Sequence, residues 1–200
     1  MLAINLNDLS SCDLLDKLNI DYNGFLYWAA YQKNKLLLLI EDAQQKQSLI
    51  IIDLTKNTHQ VIDLAVQNVN AVDFLGPLFI CSYYNEQLKR NQLAVLDSNG
   101  KVTRYFNIKN NNVSVVFRAS EDGKYLLFSQ GKTPQGLFLY NINDGCEYVV
   151  IPPVVNETYR HILYAGWKDD ESFYILELIV KPGSEDEYAL REEKVSQYVK

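Results

Sequence analysis

Three cysteines, two histidines and two runs of carboxylates are the residues of this 200-residue chain with the chemistry to make or break bonds. Cys12, Cys81 and Cys146 lie far apart, and neither His59 nor His161 shares a local signature with any of them, so the sequence assembles no thiolate–imidazole nucleophile. A scattered, odd-numbered set of this kind reads as reduced, mostly buried thiols in a reducing compartment. Asp169, Asp170 and Glu171 form one carboxylate run, and Glu185, Asp186 and Glu187 the other. Both fall in stretches that read as turns, where solvated charge is expected rather than general acid–base work. The segment NINDGCE (141–147) has the oxygen density of a calcium loop. Its glycine falls one position early and no glutamate follows at the required distance, so a hairpin turn is expected instead. No P-loop, GxSxG, HExxH or CxxC pattern occurs. The expectation is therefore no catalytic residue, no metal and no cofactor.

Composition narrows the partners. Hydrophobic residues make up 48% and charged residues 22%, the balance of a globular chain with enough apolar surface for a core. The formal charge is −6. Residues 1–140 hold 13 acidic and 13 basic side chains, and residues 141–200 hold 12 acidic against 6 basic, so the whole imbalance lies in the last third. Nucleic acid and anionic membranes would be repelled by it, whereas a basic protein partner is compatible. No apolar run approaches the length of a membrane span, the longest aliphatic one being 36–40. Residues 1–20 show no basic segment followed by an apolar one, and Asp8, Asp13 and Asp16 interrupt them, which makes the cytoplasm the expected location.

The elements that would position any site are announced by a repeat. LIIID (49–53), LAVLD (93–97) and LFLYN (137–141) start 44 residues apart, twice in succession. Each is a strand-like run followed by a polar turn and a further short strand. SNGK and INDG supply the glycine that such hairpin turns need. Ahead of each lies another hairpin: LYWAAYQKNKLLLLI, VNAVDFLGPLFICSY, VSVVFRASEDGKYLLFSQ and ILYAGWKDDESFYILEL. The result is an all-β reading of four antiparallel units of about four strands, 24–64, 68–108, 112–152 and 159–200. Sheets of this width stacked face to face make a β-propeller-like domain over 24–200. An antiparallel β-sandwich built from the same hairpins is the alternative. Residues 1–23 read as an N-terminal strand, LAINL, able to pair with a blade edge as a closing strand. A short helix or loop over 7–18, capped by Asp8 or Ser10, follows it.

The third unit, SEDGKYLLFSQ…GLFLYNINDGCEY, resembles the repeat of TolB-like and prolyl-oligopeptidase-type propellers, with its DGK turn and, at LYNINDG, a hairpin similar to the LYxxDxxxG of that repeat. The fourth is similar in WKDDESFYILEL, and the first two share only the pattern. The resemblance implies a fold and no reaction, because propellers of this kind bind partners or gate a separate catalytic domain.

Loop length points to where binding would sit. The second-to-third strand loops, EDAQQKQS (41–48), YYNEQLKRNQ (83–92), QGKTPQ (130–135) and KPGSEDE (181–187), are long. In a blade stack they open on one face together with the links KNNN (109–112) and PPVVNETYR (152–160), while short turns occupy the other. Tyr83, Tyr84, Lys89 and Arg90 are the candidate anchors, with Asp186 and Glu187 placed to steer a basic partner. The leading reading is a non-enzymatic protein-binding module, such as a small acidic inhibitor or immunity protein. Two others stay open. One is an enzyme or small-ligand binder with a central-channel site, for which the inner strands offer Asp73 and Arg118. The other is a subunit or fragment of a larger propeller assembly.

Overall fold

The computed structural model describes residues 2–4, 11–20, 24–108, 113–130, 136–153, 159–180, 183 and 185–199. Ahead of the repeats, β1 (Leu2–Ile4) pairs with β2 (Ser11–Asp13), and one helical turn, α1 (Leu14–Lys17), follows. Of the closing strand expected from LAINL, Leu2–Ile4 pairs with Ser11–Asp13, and residues 5 and 6 lie outside the described residues. Of the helix expected over 7–18, residues 7–10 lie outside the described residues. The described turn is capped by Asp13, whose Oδ1 accepts the Leu15 amide at 2.9 Å.

Four antiparallel sheets follow, each a simple meander. Blade 1 is β3 (Gly24–Gln32), β4 (Lys35–Asp42), β5 (Gln47–Asp53) and β6 (Thr58–Asp63). Blade 2 is β7 (Val69–Leu75), β8 (Leu78–Asn85), β9 (Arg90–Leu96) and β10 (Val102–Asn107). Blade 3 is β11 (Val113–Ala119), β12 (Tyr125–Gln130), β13 (Gly136–Asn141) and β14 (Glu147–Ile151). In blade 4 the described residues form three strands, β15 (Tyr159–Trp167), β16 (Ser172–Val180) and β17 (Glu187–Lys194), followed by a 3₁₀ turn over Val195–Gln197. YALREEK there runs on as one strand beside β16. Val195 then folds back, its amide donating to the Glu171 carbonyl at 2.9 Å and its side chain entering the core. The chain is a four-bladed, propeller-like arrangement of separate sheets, not the two-sheet sandwich.

Period-two alternation builds the stack, because successive strand side chains face opposite neighbours. In LLLLI, Leu37 and Leu39 face blade 2, where Val72, Phe74 and Cys81 meet them, while Leu38 faces away. Ile80, Leu93 and Phe106 of blade 2 pack on Phe117, Phe128 and Tyr140 of blade 3. Leu127, Leu139 and Ile151 of blade 3 pack on Ile162, Phe173 and Ile175 of blade 4. The outward face of blade 1, Leu38, Ile50 and Ile52, is covered by Leu18 and Ile20 from the segment after α1. Every inner strand carries a register shift against the second strand of its blade, between Leu26 and Trp28, Val69 and Ala71, Val113 and Phe117, and Ile162 and Tyr164. Such bulges sharpen local twist, and the same irregularity recurs in all four blades.

Polar side chains tie the inner strands together. Gln47 is buried and brackets Val69 like an added strand residue: its Oε1 accepts the Val69 amide at 2.7 Å and its Nε2 donates to the Val69 carbonyl at 3.1 Å. Asp73 joins blade 2 to blade 3, its Oδ2 accepting the Ala119 amide at 2.9 Å while Oδ1 accepts that of Phe74 at 2.8 Å. Trp167 Nε1 donates to the Arg118 carbonyl at 2.9 Å, joining blade 4 to blade 3. On the short-turn side, Lys33 of blade 1 forms an ion pair with Glu121 of blade 3.

Two stability predictions follow from these contacts. Burial pushes the Asp73 carboxyl up to about 6 from an ordinary 3.8, against the opposing pull of the Ala119 amide, the Arg118 charge and the Phe74 amide. A carboxyl that holds its proton more tightly folded than unfolded favours the fold most below about pH 4, and that contribution fades as pH rises through its folded value. Urea denaturation between pH 4 and 7 should therefore show the stability of the native chain, minus that of Asp73→Asn, falling by about 2–3 kcal/mol as pH rises. A difference that is flat across this window contradicts a proton-holding Asp73. The second concerns Gly100, at φ 76°, where a Cβ would collide with the Asp63 carbonyl oxygen and lie 2.8 Å from Ile62 Cγ2. Gly76 has φ 59° with nothing within 4 Å of the same position. Gly76→Ala should cost about 1–2 kcal/mol from backbone strain alone, and Gly100→Ala about 1–3 kcal/mol more by thermal or chemical unfolding.

Candidate functional site

The long-loop face is built by loops that close on themselves. In the β4–β5 loop, Asp42 Oδ1 accepts the amides of Gln44 and Lys46, each at 2.9 Å, and Gln45 takes φ 64°. In the β8–β9 loop, Asn85 Oδ1 accepts the amides of Gln87 at 3.0 Å and Leu88 at 3.1 Å, and Lys89 takes φ 50°. These are Asx turns, in which a short side chain substitutes for a turn carbonyl. The link between blades 1 and 2 lies beside both loops: Gln67 Oε1 accepts the Gln47 amide at 3.4 Å, Tyr84 N–H donates to Asn68 O at 2.9 Å, and Asn68 Nδ2 donates to Glu86 at 3.1 Å. The face thus collects loops and links, as the meander topology requires. Residues 131–135 of QGKTPQ, 109–112, 154–158, and 181, 182 and 184 of KPGSEDE lie outside the described residues.

The candidate anchors separate into two groups. Tyr83 is 7% exposed. Its hydroxyl donates to Gln92 Oε1 at 2.8 Å, an oxygen that also accepts from Asn85 Nδ2 at 2.8 Å. Gln92 Nε2 and Arg90 Nη2 both donate to Asn107 Oδ1 at 2.9 Å. Tyr83 and Arg90 therefore belong to a network that stiffens the loop from beneath, and desolvation raises the Tyr83 phenol pKa. Tyr84, 41% exposed, points to the other side of the same strand, and Lys89 is exposed. Leu88, also exposed, completes this outward group. It was not singled out from sequence, although one leucine within the polar run NEQLKRN was the available signal. Asp186 and Glu187 are exposed at the start of β17 and on the same side by topology.

The inner strands bring four large or charged side chains together. The Arg118 guanidinium lies 5.7 Å from the Trp28 ring centroid, a cation–π approach between blades 3 and 1, and its Nη1 donates to the Phe117 carbonyl at 2.9 Å. With Asp73 bonded to two backbone amides and Trp167 to a carbonyl, this cluster serves to join blades. The Trp28 and Trp167 contributions were not read from sequence, where both look like ordinary core aromatics.

Nucleophilic and acid–base chemistry finds little footing among the described residues. Cys81 is fully buried, and burial pushes its thiol up to about 12, so the thiolate is scarcely populated at neutral pH. Cys146 is exposed in the β13–β14 turn. That turn is closed by its own side chains, Asn141 Nδ2 donating to Asp144 Oδ2 at 2.9 Å and Cys146 N–H to Asp144 Oδ1 at 2.8 Å. Between blades 3 and 4, on the short-turn side, an open groove of about 1030 Å³ is lined by Asp122, Lys124, Lys168, Asp169, Asp170 and Glu192 among others. Its carboxylates are engaged. Asp169 accepts the Ser172 hydroxyl at 2.8 Å and the Glu171 amide at 2.9 Å, which lowers its pKa, the reverse of a general acid. Asp170 accepts the Asp122 amide at 2.8 Å. No group of three or more His, Cys, Asp or Glu placed to hold a metal ion occurs among the described residues, and no described helix is long and apolar enough to cross a membrane.

No family model and no curated protein sequence matches the chain. Solved structures do. The chain is similar to TolB from Acinetobacter baumannii at 14% identity and a TM-score of 0.56, covering 96% of this chain and 48% of that one. It is similar to the β-propeller domain of the trilobed protease from Pyrococcus furiosus, described as having an open velcro topology, at 13% identity and a TM-score of 0.52, covering 87% of this chain and 58% of that one. A protein from Dyadobacter fermentans matches at 15% identity and a TM-score of 0.52, covering 82% and 51%. The chain spans about half the length of these structures. Likeness at this level of identity is a likeness of fold, and the fold is a TolB-like propeller arrangement of four blades.

Proposed function

We propose that the chain is a non-enzymatic protein-binding module whose partner docks on the long-loop face. The observation that carries this reading is the pairing of a stiff base with an outward group. Asx turns and the Tyr83–Gln92–Asn107 network hold the β8–β9 loop in one shape, so Tyr84, Leu88 and Lys89 are presented with little ordering entropy left to lose on binding. A basic partner is supported by the excess of 12 acidic over 6 basic side chains in residues 141–200, including exposed Asp186 and Glu187. A small acidic inhibitor or immunity protein, acting in the cytoplasm on a basic target, is the finer form of the proposal.

Affinity capture on the immobilised chain, identification of the retained protein and calorimetric titration with it test this reading. Tyr84→Ala should weaken binding by about 2 kcal/mol, the effect of truncating an aromatic anchor. Tyr83→Phe should act indirectly, loosening the loop at a smaller loss of affinity. Asp186→Lys should mainly slow association and flatten its dependence on salt. The control is Lys35→Glu, exposed at the β3–β4 turn on the short-turn side, preferred to Asp170, which holds the Asp122 amide. If Lys35→Glu abolishes binding and Tyr84→Ala leaves it unchanged, the partner docks on the other face.

A further inference from the structure

Blades 1, 2 and 3 each present an apolar face to the blade that follows, and each of those faces is buried. Blade 4 carries a face of the same construction. Cross-strand pairs define it: Tyr164 opposite Leu176 opposite Leu190, and Leu178 opposite Tyr188. Leu190 is 70% exposed and Tyr188 68%, while Ala165, Phe173 and Ile175 on the reverse of the same strands are buried against blade 3. Exposed apolar strips of this continuity mark interaction sites.

Three observations indicate what covers it. The charges beside the face are matched locally: Lys168 Nζ donates to Glu192 at 2.7 Å and lies 5.8 Å from the Tyr174 ring centroid. The strip itself thus carries a matched pair rather than a net charge, and the exposed Asp186 and Glu187 lie at its β17 edge, so like-charge repulsion between two copies is confined to that edge. The three strands are 9, 9 and 8 residues long. That is a sheet face of roughly 30 by 14 Å, and covering it on two copies removes roughly 850 Å² of projected area from water, near the lower bound for specific association, so the dimer is expected to be a weak one. Finally, the middle of the outward face of blade 1 is occupied at Leu38, Ile50 and Ile52 by Leu18 and Ile20, while Leu26, Tyr31 and Val61 on the same face stay exposed, so head-to-tail stacking is the competing contact that Val61→Glu tests. Two copies of blade 4 offer each other identical uncovered faces, the condition for a closed two-fold pair.

We propose that the chain forms a two-fold dimer through the Tyr164–Leu176–Leu190 face of blade 4, extending between copies the stacking that joins the blades within one. Sedimentation equilibrium of the full chain at micromolar concentrations should show the dimer. Leu190→Glu, at a position too exposed to unfold the sheet, should raise its dissociation constant by about tenfold or more, and Tyr188→Lys should do the same. Val61→Glu, on the outward side of blade 1, should leave it unchanged, with circular dichroism verifying that all three variants fold. A wild-type chain that is monomeric at these concentrations overturns the proposal, as does a dimer that survives Leu190→Glu or is lost in Val61→Glu. Tyr84→Ala should not affect the dimer, so failure here is distinct from failure of the loop-face reading.

Discussion

A β-sheet four strands wide has two faces, and when both are apolar only other sheets of matching shape can cover them. That constraint organises this molecule. Leu37 and Leu39 on one side of β4 and Leu38 on the other have no single-layer solution, since a lone blade would leave one set in water at roughly 25 cal/mol for each Å² exposed. Stacking is the solution, and it propagates. Each blade that covers its predecessor creates the next face to be covered: Leu39 and Phe74 share the first interblade cluster, Phe106 meets Tyr140 edge-on in the second, and Leu139 and Phe173 share the third.

Apolar stacking is non-directional, so polar ties supply the registration. Gln47 on Val69, Asp73 on Ala119 and Trp167 on Arg118 each attach a side chain of one blade to the backbone of a neighbouring blade, and each pairs a polar group whose burial would otherwise be costly. Asp73 stands apart because its environment favours the protonated acid while its two amide partners favour the charged form. The tie is thereby sensitive to pH, unlike the amide of Gln47 or the indole of Trp167.

The same division of labour shapes the loop face. Tyr83 and Arg90 face the network below while Tyr84, Leu88 and Lys89 face out, so neighbouring residues of one short stretch divide between the network and solvent. Alternation along β8 is the physical cause: adjacent tyrosines on a strand must point to opposite sides. Two tyrosines that look equivalent in a linear reading are thus assigned different work by the pleat.

The amino-acid sequence alone determined the blade count and the strand pattern. The 44-residue offset of LIIID, LAVLD and LFLYN, with glycines in SNGK and INDG, encodes local chain reversal and strand alternation, and both are short-range properties. Short-range reading stopped where pairing partners lie far along the chain. That Leu2–Ile4 pairs with Ser11–Asp13, that YALREEK continues as one strand, and that Val195 turns back to Glu171 are settled by competition among distant surfaces. The candidate site divides in the same way. Its loops were legible as long polar insertions, and the exposure of Asp186 and Glu187 follows from their turn chemistry. Which of Tyr83 and Tyr84 is buried depended on the register of β8 against β9. The joining of Trp28, Asp73, Arg118 and Trp167 depended on the stack as a whole, because no local signal specifies which residues of four separate sheets will share one axis.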